Sequence, residues 1–352
     1  MRGRIVPTTD AHHVTLADRV VAAWYTPRVT PLAALLWPFS LLFRGAVAFR
    51  RFLFRAGVLR AQRVRAPVVV VGNVSVGGTG KTPLACALAA ALAQRGFHPG
   101  IVSRGHGGSA AAARAVMADD DPAVVGDEPL IFSAAGFPVW IGRDRVAAAR
   151  GLLDSVPSCD VVISDDGLQH YRLARDVEIV AVDAARGFGN GFMLPAGPLR
   201  EPASRLDEVD AIVRLVAHRS AHTGARDGRD TEVTHAPQPW RNVAAGARVA
   251  DPAEWHGREV HAVAGIAHPE RFFALVRAQG IAAVEHPLPD HHAYRAADLA
   301  FPAAAAILMT QKDAVKCAGL ADERCWYLPV SATLDPALVA LVENKIRGSE
   351  TA

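Results

Sequence analysis

Four consecutive valines, Val68 to Val71, run into Gly72-Asn73-Val74-Ser75-Val76-Gly77-Gly78-Thr79-Gly80-Lys81-Thr82, and an Ala/Leu-rich stretch continues to Arg95. No other feature restricts the fold of this chain as strongly. An unbroken apolar run suits a parallel strand covered on both faces. Glycines let successive backbone N–H groups turn inward around phosphate oxygens, and the positive end of a following helix adds to that field. Lys81 is spaced to reach terminal phosphates and the Thr82 hydroxyl to ligate Mg²⁺. Pro83 fits a first helical turn, where no N–H donor is needed. Ser75, Val76, Gly77, Gly78, Thr79, Gly80, Lys81 and Thr82 are therefore the candidate nucleotide-phosphate set. Ser75 stands where the strict pattern has a glycine. A dinucleotide-binding turn is excluded by spacing, because Pro83 occupies the place of the third glycine.

Beyond this loop, short apolar runs alternate with helical stretches. HPGIVSRG, PVWIG, DVVISDDG, VEIVAVDA and DAIVRLV read as further strands of a doubly wound, mostly parallel α/β sheet of the P-loop NTPase type. Residues 218–238 are polar and aperiodic, which predicts a linker or exposed hairpin. REVHAVAGI, AAILMTQKD and CWYLPVSA then resume the strand pattern as a second, smaller α/β unit. The expected organisation is an N-terminal segment at 1–66, a phosphate-loop core at 67–217, the linker at 218–238 and the smaller domain at 239–352.

Within the N-terminal segment, residues 32–55 concentrate apolar side chains. Pro38 and Arg44 interrupt them, which makes a poor transmembrane span. At 100° per residue, Phe39, Leu42, Ala46, Phe49 and Leu53 share one side, and Arg44, Arg51 and Arg55 the other; Arg50 is the exception, near the apolar side. Seven arginines lie between Arg44 and Arg65. This pattern predicts a helix lying in a bilayer interface against anionic headgroups, with packing on its own domain as the alternative. The composition agrees: 38 Lys+Arg against 35 Asp+Glu gives only +3, no general case for nucleic acid, while the mean hydropathy of +0.15 is high for a soluble enzyme. The preceding MRGRIVPTTDAHH is polar and does not read as a secretory signal. Cys86, Cys159, Cys317 and Cys325 are scattered without a C-x-x-C pair, which fits a reducing compartment.

Asp165 and Asp166 close the DVVIS strand, where a carboxylate would hold Mg²⁺ beside the phosphate loop. Asp127, in GDEP, either caps a helix or takes the proton of an acceptor hydroxyl, with His291 or His292 of the DHH triplet as its partner. Arg104 and His106 follow the second strand. Arg200 and Glu201 end a glycine- and proline-rich loop over 186–202 that is too long to be a simple connection. Arg104 and Arg200 suit either bidentate phosphate contacts or ion pairs.

Together, GNVSVGGTGKTP, VSRGHGG, GDEP, ISDDGLQH, VDAARGFGNGFMLPAGPLREP, GIAHPERFF, DHHAY and MTQKDAVK, in order from residue 72 to 316, resemble the tetraacyldisaccharide 4'-kinase family, the lipid A 4'-kinases. The resemblance implies transfer of the ATP γ-phosphoryl group to the 4'-hydroxyl of a tetraacylated glucosamine disaccharide 1-phosphate, at the cytoplasmic face of the bacterial inner membrane. It implies phosphate and Mg²⁺ roles for Lys81 and Thr82, a base role for Asp127 with a DHH histidine, and metal and nucleotide coordination by Asp165 and Asp166. Arg104, His106, Arg200 and Glu201 would line the substrate site. His106 stands where the family usually has Tyr, and Gln311 where it usually has Glu. The expected partners are the lipid substrate and an anionic membrane surface, with no nucleic acid and no obligate protein partner. The competing reading is a membrane-associated nucleotide switch of the partitioning or targeting type. Val76, where the partitioning ATPases carry an additional lysine, argues against it.

Overall fold

The computed structural model of the chain describes residues 16–26, 28–78, 80–216 and 229–350. Thr79 of the predicted phosphate loop, residue 217 at the end of the predicted core and 218–228 of the predicted linker lie outside the described residues, as do residues 1–15, 27 and 351–352. The strands are β1 (Val68–Gly72), β2 (Pro99–Ser103), β3 (Arg114–Ala115), β4 (Val139–Ile141), β5 (Val161–Asp165), β6 (Val177–Asp183), β7 (Ala211–Val216), β8 (Asp230–Pro237), β9 (Trp240–Asn242), β10 (Val249–Ala250), β11 (Val260–Ala264), β12 (Ala283–Pro287), β13 (Ala306–Thr310), β14 (Cys325–Leu328) and β15 (Val330–Thr333). The α-helices are α1 (Leu16–Trp24), α2 (Pro31–Arg55), α3 (Lys81–Gln94), α4 (Pro122–Val125), α5 (Asp127–Ala134), α6 (Arg145–Ser155), α7 (Pro269–Ala278), α8 (Gln311–Cys317) and α9 (Pro336–Glu350).

β1 sits in the middle of a nine-stranded sheet of order β15-β8-β7-β6-β1-β5-β2-β4-β3, parallel except at its two edge pairings. Successive side chains on a strand point to opposite faces, so the valine run feeds two cores. Val69 and Val71 pack with Leu84, Leu88 and Leu92 of α3 and with Leu338 and Val342 of α9. Val68 and Val70 pack with Val146, Leu152 and Leu153 of α6. Full burial on both faces stabilises the strand by roughly 1.5–3 kcal/mol per valine, and explains why this strand has no polar alternation. The strand order reverses direction at β1, which opens a crevice at the carboxyl ends of β1 and β5. Register places Val71 beside Asp165, level with the start of the phosphate loop.

A second sheet, β10-β9-β14-β13-β11-β12, is packed around Trp240, Trp255, Phe272, Phe273 and Trp326. Its boundary with the first sheet differs from the linear division of the sequence. In its described part, the expected linker is β8, which pairs in parallel with β7 through Ile212↔Asp230 to Val216↔Thr234. The run CWYLPVSA divides at Pro329: β14 belongs to the second sheet, while β15 returns to the first and pairs with β8. α9 follows it there and packs on α3. Proline supplies no ladder donor and so ends strands; Pro239 and Pro329 stand at the two crossings between sheets. The crossings are tied to each other by the Gln238 N–H donating to the Pro329 carbonyl at 2.8 Å.

α2 is one continuous 25-residue helix capped by the Thr30 hydroxyl, and Pro38 does not break it. It is long and apolar enough to cross a membrane. The expected apolar side faces outward: Leu35, Phe39, Leu42, Phe49 and Phe52 are each more than half exposed. The arginines differ from expectation. Arg51 and Arg55 both pair with Glu208, and Arg63 pairs with Asp176. Arg65 donates to the Leu153 carbonyl, and Arg50 stacks on Phe54 and Tyr171. Most of the cluster is therefore spent on the protein itself rather than left for headgroups. The sequence pattern could not reveal this, because the acidic partners are more than a hundred residues away.

Candidate active site

A cleft of about 1450 Å³ lies between the two sheets and is walled on one side by α2. The phosphate loop forms its floor. Gly80 caps α3 in the left-handed region at φ 74°, and a Cβ there would come within 2.3 Å of His235 Cε1, so only glycine fits. Lys81 and the buried Thr82 open the helix. The front of the loop is strapped down: the Val76 N–H donates to the Pro198 carbonyl at 2.8 Å, and the Arg200 N–H to Val74 at 2.7 Å. Val76 thus has no free N–H for a phosphate, and buried Ser75 forms a bridge with Leu199. Among the described residues, the part of the loop left to face a phosphate is Gly77, Gly78 and Gly80 to Thr82.

The two aspartates that close β5 have opposite environments. Asp165 is wholly buried, and neither carboxylate oxygen has a hydrogen-bond partner among the described residues. Burial, reinforced by Glu128, pushes its carboxyl up to about 7. Asp166 adopts φ 48° and is met by Lys81 Nζ at 3.3 Å and Arg200 Nη1 at 3.0 Å. Against the effect of its own burial, Lys81 and Arg200 hold its carboxyl well below the usual range. An orphaned acid therefore stands beside one already neutralised by two cations.

Asp127 begins α5 and is buried. Gly126, at φ 86°, lets the GDEP turn approach the VSRGHGG loop; a Cβ there would meet the His106 carbonyl at 2.5 Å. Of the two candidate histidines, the structure brings His291 to Asp127, with Nδ1 3.4 Å from Oδ2. His292 instead meets Asp298 at 3.0 Å. The bond to Asp127 raises the His291 imidazole above its ordinary value. Although burial opposes it, that same bond and the nearby Lys312 and Lys316 bring the Asp127 carboxyl down to about 2. The His106 ring stands edge-on to His291, 5.4 Å between centroids, so the residue at the usual Tyr position packs against the acid–imidazole pair. Arg104 is exposed and lines the cleft with His106 and His291.

Arg200 and Glu201 separate in role. Arg200 reaches into the cleft to Asp166, while Glu201 is wholly buried. The Glu201 carboxylate accepts from Tyr171 Oη at 2.6 Å and Gln169 Nε2 at 2.8 Å, and lies 3.4 Å from Arg205 Nε. Glu201 thus ties the long loop to the segment after β5.

Sequence reasoning missed two residues. Lys312, at the start of α8, crosses from the second sheet to pair with Glu128, beside Asp127. Glu128 lies among Lys312, Lys81 and Asp165; the two lysines, against burial, lower its carboxyl. A basic residue two positions after the apolar strand AILMT was the available signal, with the same strand-end logic that singled out Asp165. His235 on β8 packs on the phosphate loop, and burial pushes its imidazole down. It falls within the stretch whose polarity suggests a linker, where no pattern marks it.

A family model described as tetraacyldisaccharide-1-P 4'-kinase matches residues 32–347. The chain is 51% identical over 321 residues to the tetraacyldisaccharide 4'-kinase of Alkalilimnicola ehrlichii, covering 89% of this chain and 90% of that protein. It is 50% identical over 333 residues to the tetraacyldisaccharide 4'-kinase of Chromobacterium violaceum, covering 92% and 96%. Among solved structures, the LpxK of Aquifex aeolicus in complex with ATP aligns with a TM-score of 0.76 at 27% identity, covering 90% of this chain and 99% of that one. With a phosphate loop, a neighbouring acidic strand end and these relatives across nearly its whole length, the chain belongs to the tetraacyldisaccharide-1-P 4'-kinase family.

Proposed function

We propose that this chain transfers the γ-phosphoryl group of ATP to the 4'-hydroxyl of an acylated glucosamine disaccharide 1-phosphate, working at the cytoplasmic face of the bacterial inner membrane. The observation that carries this reading is His291, which lines the cleft together with Lys81 and is paired with the buried Asp127 behind it. A phosphate loop alone would serve a hydrolase or a switch. A carboxylate–imidazole pair gives the proton of an acceptor hydroxyl somewhere to go, an effect worth about 10²- to 10⁴-fold in rate.

Asp127 would accept the hydroxyl hydrogen bond and orient the oxygen, and His291 would take up the proton as the new bond forms. A strongly basic group is unnecessary, because phosphoryl transfer proceeds through a loose transition state in which the nucleophile keeps its proton until late. Lys81 and the α3 N-terminus would hold the terminal phosphates. Lys81 and Arg200, now on Asp166, are positioned to exchange that carboxylate for nucleotide oxygens. The strap that the 186–202 loop lays over residues 74–76 would hold this floor in place.

The residues also fit Mg²⁺. The unpartnered oxygens of Asp165 and the hydroxyl of Thr82 are hard oxygen donors at the correct end of the sheet, and a metal ion would relieve the orphaned acid. When bound there, Mg²⁺ would neutralise phosphate charge. The exposed apolar face of α2 supports seating on a bilayer, which a substrate with four acyl chains requires.

The test is incubation with γ-labelled ATP, Mg²⁺ and the detergent-dispersed disaccharide 1-phosphate. Label should appear in lipid. Release as inorganic phosphate alone would overturn the kinase reading and leave the nucleotide switch.

A further inference from the structure

α2 has a third face, between the exposed apolar side and the arginine side. Phe43, Ala46, Val47 and Arg50 line the cleft together, and their i, i+3, i+4, i+7 spacing makes one continuous stripe. Arg50 ends that stripe, at the point where sequence periodicity made it the exception among the arginines. Its neighbour Arg51 is consumed by Glu208 and lies 4.0 Å from Glu201. Arg50 has no carboxylate within ion-pair distance among the described residues. It is held instead by two aromatic faces, its guanidinium 5.3 Å from the Tyr171 ring and 5.9 Å from Phe54. Tyr171 is itself fixed by donating to Glu201 and also has the Arg175 guanidinium over its ring, 5.6 Å away. Arg175 spends its donors on Glu178 and the carbonyls of Leu168 and His170, so its charge is not available to the cleft.

A guanidinium oriented by aromatic rings, with its donor edge unspent, is a ready phosphate ligand. It lies at the boundary between the catalytic cleft and the outward-facing apolar surface of α2, where the head of a lipid acceptor must enter. On the kinase reading above, the acceptor already carries a phosphate on the sugar opposite the one that reacts. We propose that Arg50 binds this anomeric phosphate, with Phe43, Ala46 and Val47 forming an apolar track for an acyl chain beside it. Arg50 would then set which end of the disaccharide faces Asp127, so that phosphoryl transfer goes to the far sugar. An anionic headgroup of the surrounding bilayer offers the same chemistry, and the experiment must separate the two sources.

The test compares wild type with Arg50→Met, which keeps the stem and the stacking while removing the charge, and with Arg50→Lys. In neutral detergent, kcat and KM are measured for the tetraacyl disaccharide 1-phosphate and for the same lipid lacking the 1-phosphate. The wild-type preference for the phosphate-bearing acceptor, as a ratio of kcat/KM, should fall about 10- to 100-fold in Arg50→Met. The loss should lie mainly in KM, and Arg50→Lys should recover part of it. An unchanged ratio overturns the assignment, as does a defect confined to flotation with anionic but not zwitterionic vesicles, which would make Arg50 a headgroup contact. Equal loss on both acceptors also overturns it and assigns a structural role. Failure of wild type to phosphorylate either lipid would overturn the kinase reading itself, and this inference with it.

Discussion

Replacing Asp165 by Asn should make the metal-free protein more stable while abolishing turnover. The side chain is 0% exposed, its two oxygens lack hydrogen-bond partners, and its carboxyl is raised to about 7 from the 3.8 of an open chain. An acid raised in the folded state binds a proton there that the unfolded chain has released. Its contribution is therefore intact below about pH 4 and is lost as pH climbs from 4 to 7. At about 1.4 kcal/mol per tenfold change, the full penalty above pH 7 is on the order of 4 kcal/mol. The amide must still find partners in a buried site, so a net gain of about 1–3 kcal/mol is expected at pH 8. The assay is urea unfolding with EDTA at pH 5 and pH 8. Wild type should lose stability between those values more steeply than Asp165→Asn. Mg²⁺ with a non-hydrolysable ATP analogue should raise the midpoint of wild type but not of the variant. A variant less stable than wild type at pH 8 without metal would refute the reasoning, since the orphaned carboxylate would then be a structural asset.

His291→Asn should lower kcat about 10- to 100-fold, while His292→Asn, which loses the Asp298 and Tyr294 contacts but none to Asp127, should leave kcat within about threefold; steady-state kinetics on the lipid acceptor distinguish them. Because the bond to Asp127 raises His291, the acid limb of the kcat–pH profile should lie above the ordinary imidazole value in wild type, and a limb at or below it would count against the pair. Lys312→Met strands Glu128 beside Asp165 and should cost about 10²-fold in kcat/KM, with Glu128→Gln partly rescuing it in a double-mutant cycle. Gly80→Ala must adopt φ 74° at a cost of about 1–2 kcal/mol and also displace His235; nucleotide affinity by calorimetry should fall at least about tenfold, with some recovery in a Gly80→Ala, His235→Ala protein.

What could be read from the sequence divides along a physical line. The phosphate loop, the parallel strands and the acids at the end of β5 are local signals: a valine run, a glycine-rich turn and a helix start lie side by side in the chain. The pairing of Asp127 with a DHH histidine crosses more than 160 residues; the residue types made it a candidate, and spacing alone could not establish it. Choosing His291 over His292 needed the turn in which His291 takes φ 57° and aims at Asp127. β8 was hidden because an edge-proximal strand with polar neighbours has no clean apolar period, and the return of β15 was hidden because a single apolar run serves two sheets. Lys312 and Glu128 attract each other across the cleft, and periodicity carries no information about such a pair.

The arginines of α2 show how charge pattern and charge use can diverge. A basic helix with a Phe/Leu face predicts headgroup contacts, yet Arg51 and the more exposed Arg55 both pair with Glu208, and Arg51 approaches Glu201. The same helix donates the Ser40 hydroxyl to the Met193 carbonyl at 2.7 Å, and Trp24 of α1 donates to Pro195 at 2.9 Å. All of these contacts fall on the 186–208 segment. That segment carries Arg200, which holds Asp166, which in turn meets Lys81. The paired charges therefore fasten the helix to the framework of the phosphate site, and the outward face is left apolar because no polar group is needed there. A soluble protein would pack the helix the other way round, with its phenylalanines inside. Reversing it costs exposed apolar area that water alone would not compensate. The proposed membrane surface is therefore supported more by the orientation of this helix than by its charge.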